Sequence, residues 1–180
     1  MTAFRYLCEL VEDAPGYSIV RQASPSEQDL ASCEMAIGSR LPTSLRETLA
    51  ESDGFDLVDT HGSFLRVYSC GEVASSTLDS RAFWRASSET SAWGDFISIA
   101  RSDHTESQYA VSPLQTSSGE SALHEIWPEG PGSWLTDPPL ASSFGDWLRS
   151  IGDAIVSGDH QRVYDTMWLG PADPAEPSPE

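Results

Sequence analysis

Residues 24–55, SPSEQDLASCEMAIGSRLPTSLRETLAESDGF, decide how the rest of the chain is read. The first half predicts a capped helix. Ser24 can accept from the free amides of a first turn, Pro25 suits the first helical position because its missing N–H costs nothing there, and Glu27 can reach back to the cap. An apolar run through Leu30, Cys33, Met35, Ala36 and Ile37 ends at Gly38, which adopts the left-handed conformation cheaply. Leu41-Pro42 restarts the chain. Thr43 or Ser44 caps a second helix, with Leu45 and Leu49 four apart on one face. Ser52-Asp53-Gly54-Phe55 ends it, with Gly54 as the left-handed residue.

On the N-terminal side, Phe4, Leu7, Cys8 and Val11 fit a helical face, while Phe4, Tyr6, Cys8 and Leu10 fit strand alternation equally well. The stop signal Asp13-Ala14-Pro15-Gly16 decides for a helix over residues 3–13. Tyr17 to Arg21 is a short linker or strand. On the C-terminal side, Asp56, Asp59, His61 and Gly62 predict a polar loop, and residues 63–69 a strand. Residues 74–94 are rich in serine and resist assignment, although Phe83, Trp84 and Trp93 imply that parts of them pack down. Residues 95–101 carry the best strand pattern, with Phe96, or Ile97 and Ile99, facing a core. Residues 108–112 and 123–127 follow as partner strands across short polar connections, which implies an antiparallel meander covered by helices. Residues 128–139 form a proline-rich loop anchored by Trp134. Ser142 or Ser143 caps the last major helix, within residues 140–157, where Phe144, Trp147, Leu148, Ile151 and Ile155 recur at helical spacing. Residues 159–168 add a short helix or a packed arm. Four prolines and three acids in residues 170–180 predict a disordered tail, leaving one α+β domain over residues 1–169.

The capped helix, Leu41-Pro42, the short second helix and Asp53-Gly54-Phe55 resemble the start of the SUKH superfamily. There a helix leads into Leu-Pro, a second helix and a small Asn-Gly-type turn; Asp53 stands here for the commoner Asn. The strands at 95–101 and 108–112, the strand before Trp127, and Ser143-Phe144-x-x-Trp147-Leu148 resemble the second half of such a domain. The likeness spans about residues 4–157. The superfamily gathers fungal Smi/Knr cell-wall-synthesis regulators and many bacterial toxin-immunity proteins. The resemblance implies a single domain with a mainly antiparallel mixed β-sheet packed by helices, and a protein that binds another protein rather than catalysing a reaction.

Composition bounds the function classes. The chain has 180 residues, 39% of them hydrophobic, enough for one well-packed core. No apolar run approaches the length that spans a bilayer, and the N-terminus has no basic start followed by a long apolar block, so no secretory signal is expected. Cys8, Cys33 and Cys70 are odd in number and lack metal spacing, as expected of reduced thiols in a cytoplasmic protein. Twenty-eight acids face ten basic residues, all arginine, for a formal charge of −18. Such a field repels nucleic acid and anionic membranes and attracts a basic protein; it also serves solubility by itself. Glu47, Glu51, Asp53, Asp56 and Asp59 gather around the end of the second helix. No arginine occurs between Arg101 and Arg149, a span that holds Asp103 and Glu106. These acids, with Trp134 as an aromatic anchor, are the candidate partner-binding residues.

Catalytic signals are weak. His104 lies near Asp103 and Glu106, but polar turns collect such residues, and a metal site needs a third ligand. His124 and Glu125 fall on opposite faces of a strand. Cys70-Gly71 lacks a cysteine-enzyme signature, and no phosphate loop, zinc-protease pattern, nucleophile elbow or dinucleotide fingerprint is present. No catalytic residue, metal or cofactor is expected. The combined expectation is an immunity protein that blocks a basic, nuclease-like toxin domain. The alternatives are a regulator or scaffold of the same fold, or a small hydrolase or ligand-binding domain built on His104.

Overall fold

The computed structural model describes residues 1–86, 95–103, 107–112, 114–126 and 138–167. At the N-terminus, helix wins over strand. Helix α1 (Ala3–Glu12) buries Phe4, Leu7, Cys8 and Val11, and its cap Thr2 accepts from the Arg5 amide. The short strand β1 (Ser18–Arg21) follows. Helix α2 (Glu27–Ile37) buries Leu30, Cys33 and Ile37 and stops at Gly38 with φ +70°. Its cap is Ser26, not Ser24. Ser26 accepts from the Asp29 amide and the Asp29 carboxylate accepts from the Ser26 amide, a capping box set two residues later than expected. The Ser24 hydroxyl is drawn away to the Glu51 carbonyl.

Helix α3 (Thr43–Glu51) starts without a cap from Thr43 or Ser44, because Pro42 holds the cap position. Its free amides are met from far along the chain. Thr43 N–H donates to the Gly119 carbonyl, and Ser44 N–H donates to the Glu120 carboxylate, which also accepts the Ser44 hydroxyl. The polar loop expected after Phe55 is instead strand β2 (Phe55–Asp59), hairpinned to β3 (Gly62–Val67). Phe55 and Leu57 point inward while Asp56 points outward, so acidic composition hid a period of two. Helix α4 (Cys70–Ala86) occupies much of the serine-rich segment. It turns Val73 and Thr77 inward and leaves Ser75, Leu78 and Asp79 exposed. Trp93, the Trp84 side chain, the loop with Trp134 and the tail lie outside the described residues.

Strands β4 (Ile97–Ser102), β5 (Gln108–Val111) and β6 (Leu123–Ile126) complete a sheet of order β1-β2-β3-β4-β5-β6. Every neighbouring pair is antiparallel, so the described sheet is a plain meander and not a mixed one. Helix α5 (Phe144–Val156), capped by Ser143, packs beside α1 over one sheet face. Phe4 rests on Phe55 with ring centroids 4.9 Å apart, and Trp147 on Tyr109 at 4.8 Å. Helix α4 covers the other face near the start of β4, where Ser98 N–H donates to the Thr77 hydroxyl. The row Val20, Asp56, Arg66, Arg101 and Gln108 on that second face is half-buried or exposed. Helix α6 (His160–Asp165) and the residues after it pack down. Tyr164 donates to Asp59, Trp147 Nε1 to the Thr166 carbonyl, and Tyr109 to the Met167 carbonyl.

Gly54 has φ +83°, and a Cβ there would lie 2.7 Å from both Ser69 N and the Val67 carbonyl oxygen. Gly38 has a similar φ but open space around it. Gly38→Ala should therefore cost only the left-handed backbone strain, about 1 kcal/mol. Gly54→Ala should cost about 3 kcal/mol or more, because fixed backbone must also move. Urea unfolding of the two variants measures the difference.

Three helices start on a serine paired with an acid three residues on. Besides Ser26 and Asp29, Ser69 accepts from the Glu72 amide while Glu72 accepts from the Ser69 amide, and Ser143 accepts from the Asp146 amide. Hydrogen bonds from Ser26 hold the Asp29 carboxyl below its ordinary value, and those from Ser142 and Ser143 do the same for Asp146. At Glu72, burial pushes upward, but the bonds from Ser69, with Arg66 alongside, bring the pKa down. A carboxylate depressed on folding contributes stability above its unfolded pKa and loses it as pH falls through the folded one. The Ser26→Ala, Ser69→Ala, Ser143→Ala triple variant should lose about 3 kcal/mol at neutral pH, about 1 for each cap. The gap to wild type should narrow as the carboxyls protonate, which urea midpoints measured from neutral to strongly acid pH will check.

Candidate interaction surface

Among the described acidic residues only Glu125 is buried. Most of the described arginines are taken up locally, as Arg5 with Glu51, Arg46 with Glu27 and Glu34, Arg66 with Glu72, Arg101 with Asp103, and Arg149 with Asp146. These pairs are partly or fully solvent-exposed and add little to stability. What they leave is an acidic surface with few free cations.

The acids singled out in the sequence are spread over several settings. Glu51 accepts the Thr2 hydroxyl and the Arg5 guanidinium, tying α3 to α1. Asp53 accepts the Cys70 amide at 2.7 Å, at the start of α4. Asp59 accepts the His61 amide at 2.7 Å and the Tyr164 hydroxyl at 3.0 Å, pinning α6 to the β2–β3 hairpin. Asp103 pairs with Arg101 at 3.1 Å. Asp56 lies on the open sheet face between Val20 and Arg66. Glu47 is exposed and lines a cleft of about 590 Å³ with Glu34, Arg40, Arg46 and Gln115. Glu106 and Trp134 lie outside the described residues.

Sequence reasoning missed Glu9 and Glu12. A cleft of about 530 Å³ between α1 and the chain after β1 is lined by Arg5, Glu9, Glu12, Arg21 and Glu51. It adjoins a hollow of about 260 Å³ lined by Cys8, Val11, Tyr17 and Ile19. The only sequence signal for these acids was their place on the polar side of α1.

The titratable groups of the interior have structural settings. His124 meets Phe96 edge-on at 5.3 Å, and burial lowers its pKa, which favours the neutral ring. Cys33 and Cys70 are buried together between α2 and α4. The hydrogen bond with Cys33, burial and the nearby Asp53 all push the Cys70 thiol up, which disfavours a thiolate nucleophile there. Among the described residues no group of three or more His, Cys, Asp or Glu is placed to hold a metal, and no helix is long and apolar enough to cross a membrane. His104 lies outside the described residues.

A meander with two helices on one face, entered through helix, Leu41-Pro42, helix and an Asp-Gly turn, defines an α+β fold. The model of the SMI1 / KNR4 family (SUKH-1) matches residues 24–150, and the chain belongs to that family. The match opens at the stretch before α2 and closes inside α5. No curated protein matches the chain significantly.

Structural and surface acids should separate on substitution. Asp53→Ala removes the acceptor of the Cys70 amide and is expected to lower stability by about 1–2 kcal/mol. Glu47→Ala touches nothing comparable and should stay within about 0.5 kcal/mol of wild type. Thermal and urea unfolding of both variants provide the measurement.

Proposed function

We propose that this protein is a non-enzymatic immunity protein of the cytoplasm, which binds a basic toxin domain and neutralises it by stoichiometric blockade. The reading is carried by one conjunction: membership of a family that includes immunity proteins, and a chain charge of −18 whose acids, among the described residues, are all at least partly exposed except Glu125. A field of that sign speeds encounter with a basic partner and opposes contact with nucleic acid, the substrate of a nuclease-like toxin. Exposed Glu47 and half-buried Asp56 are, among the described acids singled out in the sequence, the least committed to internal bonds, and they join the partner-facing surface in this reading. Protection in a cell requires nanomolar affinity or better, about −12 kcal/mol. Steering does not supply that, so buried contacts must contribute most of it.

The test is a pulldown from the source cells with tagged protein at low and high salt. The expected result is one basic toxin domain captured in a one-to-one complex, kept in part at high salt, with its activity abolished on binding. Capture of many unrelated basic proteins, all lost in salt, or of a partner without toxin activity, would overturn the immunity reading. The second outcome would leave a regulator or scaffold of the same fold.

A further inference from the structure

The two edges of the sheet differ. Beyond β6, Leu123 bridges to Ala141, so residues 140–141 pair with the start of that edge. Strand β1 pairs with β2 alone among the described residues. The direction of its free groups follows from one hydrogen bond: Gln22 N–H donates to the Gly54 carbonyl, toward β2. Backbone groups alternate along a strand, so Val20 and Ser18 also face β2. The amides and carbonyls of Ile19 and Arg21 point away from the sheet. No hydrogen bond reaches those outward groups among the described residues. Beside them runs the groove between β1 and α1, with Cys8, Val11, Tyr17 and Ile19 at its apolar end and Glu9 and Glu12 along its rim. Glu51 is paired with Arg5, and the Arg21 guanidinium is held over the Phe4 ring, whereas Glu9 and Glu12 make no ion pair among the described residues.

We propose that the free edge of β1, with the groove between β1 and α1, docks an extended basic segment of the partner protein by adding it to the sheet as a further strand. This rests on the reading that the protein acts by binding a basic partner. Main-chain hydrogen bonds to Ile19 and Arg21 supply register. Alternate side chains of the added strand enter the groove, an apolar one against Val11 and Ile19 and a cationic one against Glu9 or Glu12. Overall charge argues against a second copy as the occupant, since two chains of −18 repel.

The probe is a blocked peptide alternating valine and arginine, titrated into the full chain and read by amide hydrogen exchange. Exchange of the Ile19 and Arg21 amides is expected to slow roughly tenfold or more at saturation. Ile19→Pro removes an N–H that points away from β2 together with part of the apolar wall, and Ile19→Ala removes the wall alone; peptide binding is lost in the first and only weakened in the second, while the β1–β2 ladder stays intact in both. Methylating alternate peptide nitrogens also abolishes binding. Glu12→Arg weakens the arginine peptide several-fold and improves a valine–glutamate peptide. Binding that survives Ile19→Pro and nitrogen methylation overturns the proposal, as does equal binding of the glutamate peptide. So does a concentration-dependent dimer that protects β1 without peptide. The two readings fail separately. A captured toxin retained by Ile19→Pro sinks the edge and leaves immunity standing; peptide binding at β1 with no toxin captured does the reverse.

Discussion

At Ser52-Asp53-Gly54 the backbone passes so close to the exit of β3 that position 54 has no room for a side chain. That crossing organises half the molecule. The Ser52 hydroxyl is placed between the Gly54 and Gln22 carbonyls, Asp53 N–H donates to the Ala23 carbonyl, and Asp53 Oδ1 accepts the first amide of α4. A single turn thus ends α3, opens β2, seats the segment after β1 and starts α4. The physical demand is local, a left-handed residue without Cβ and an acceptor just before it. It also explains why aspartate suits a place where asparagine is commoner. Either side chain can accept the Cys70 amide, but only a carboxylate also brings negative charge to the N-terminus of a long helix, where it is favourable.

A meander has two edges, and here they receive opposite treatment. The bridge from Leu123 to Ala141 occupies the start of one. The other is kept from indiscriminate pairing by being only four residues long, by ending in Arg21 and by lying beside carboxylates. Those features deter a flat hydrophobic strand or a like-charged copy. They do not deter a basic strand, to which the carboxylates are complementary. The same chemistry that protects the isolated protein at this edge would therefore favour a basic partner in the proposed docking.

Local periodicity made much of this fold legible. The faces of α1, α2 and α5, the stops at Gly38 and Gly54, and the order of the later strands all follow from residues within a turn or a strand of one another. What stayed hidden depends on distant contacts or on polar residues in buried places. The start of α3 is held by Glu120, seventy-six residues from Ser44. Strand β2 was masked because its outward face is open and so carries Asp56. Helix α4 was masked because Thr77 is buried against β4, where its hydroxyl meets the Ser98 amide and looks, in sequence, like loop composition. The candidate site failed to gather for a related reason. Asp53 and Asp59 are close in sequence to Glu47 and Asp56, but the fold employs them as an acceptor for α4 and a pin for α6. Glu9 and Glu12, far away in sequence, approach Glu51 only once α1 lies beside α3.

Charge and edge supply different parts of recognition. With ten arginines against twenty-eight acids, most of the described cations are engaged by neighbouring carboxylates, and the residual field acts over about a Debye length, roughly 8–10 Å in ordinary salt. Such a field raises the rate of encounter and orients the approach, yet it weakens with salt and does little to slow dissociation. In the proposed complex, main-chain hydrogen bonds along β1 and an apolar side chain seated against Val11 and Ile19 would be short-ranged and nearly indifferent to salt. They would govern how long such a complex lasts. A protein that must find a basic partner quickly and hold it through a catalytic lifetime needs both contributions. The acidic rim beside the outer edge of β1, which is unpaired among the described residues, would place both within one groove.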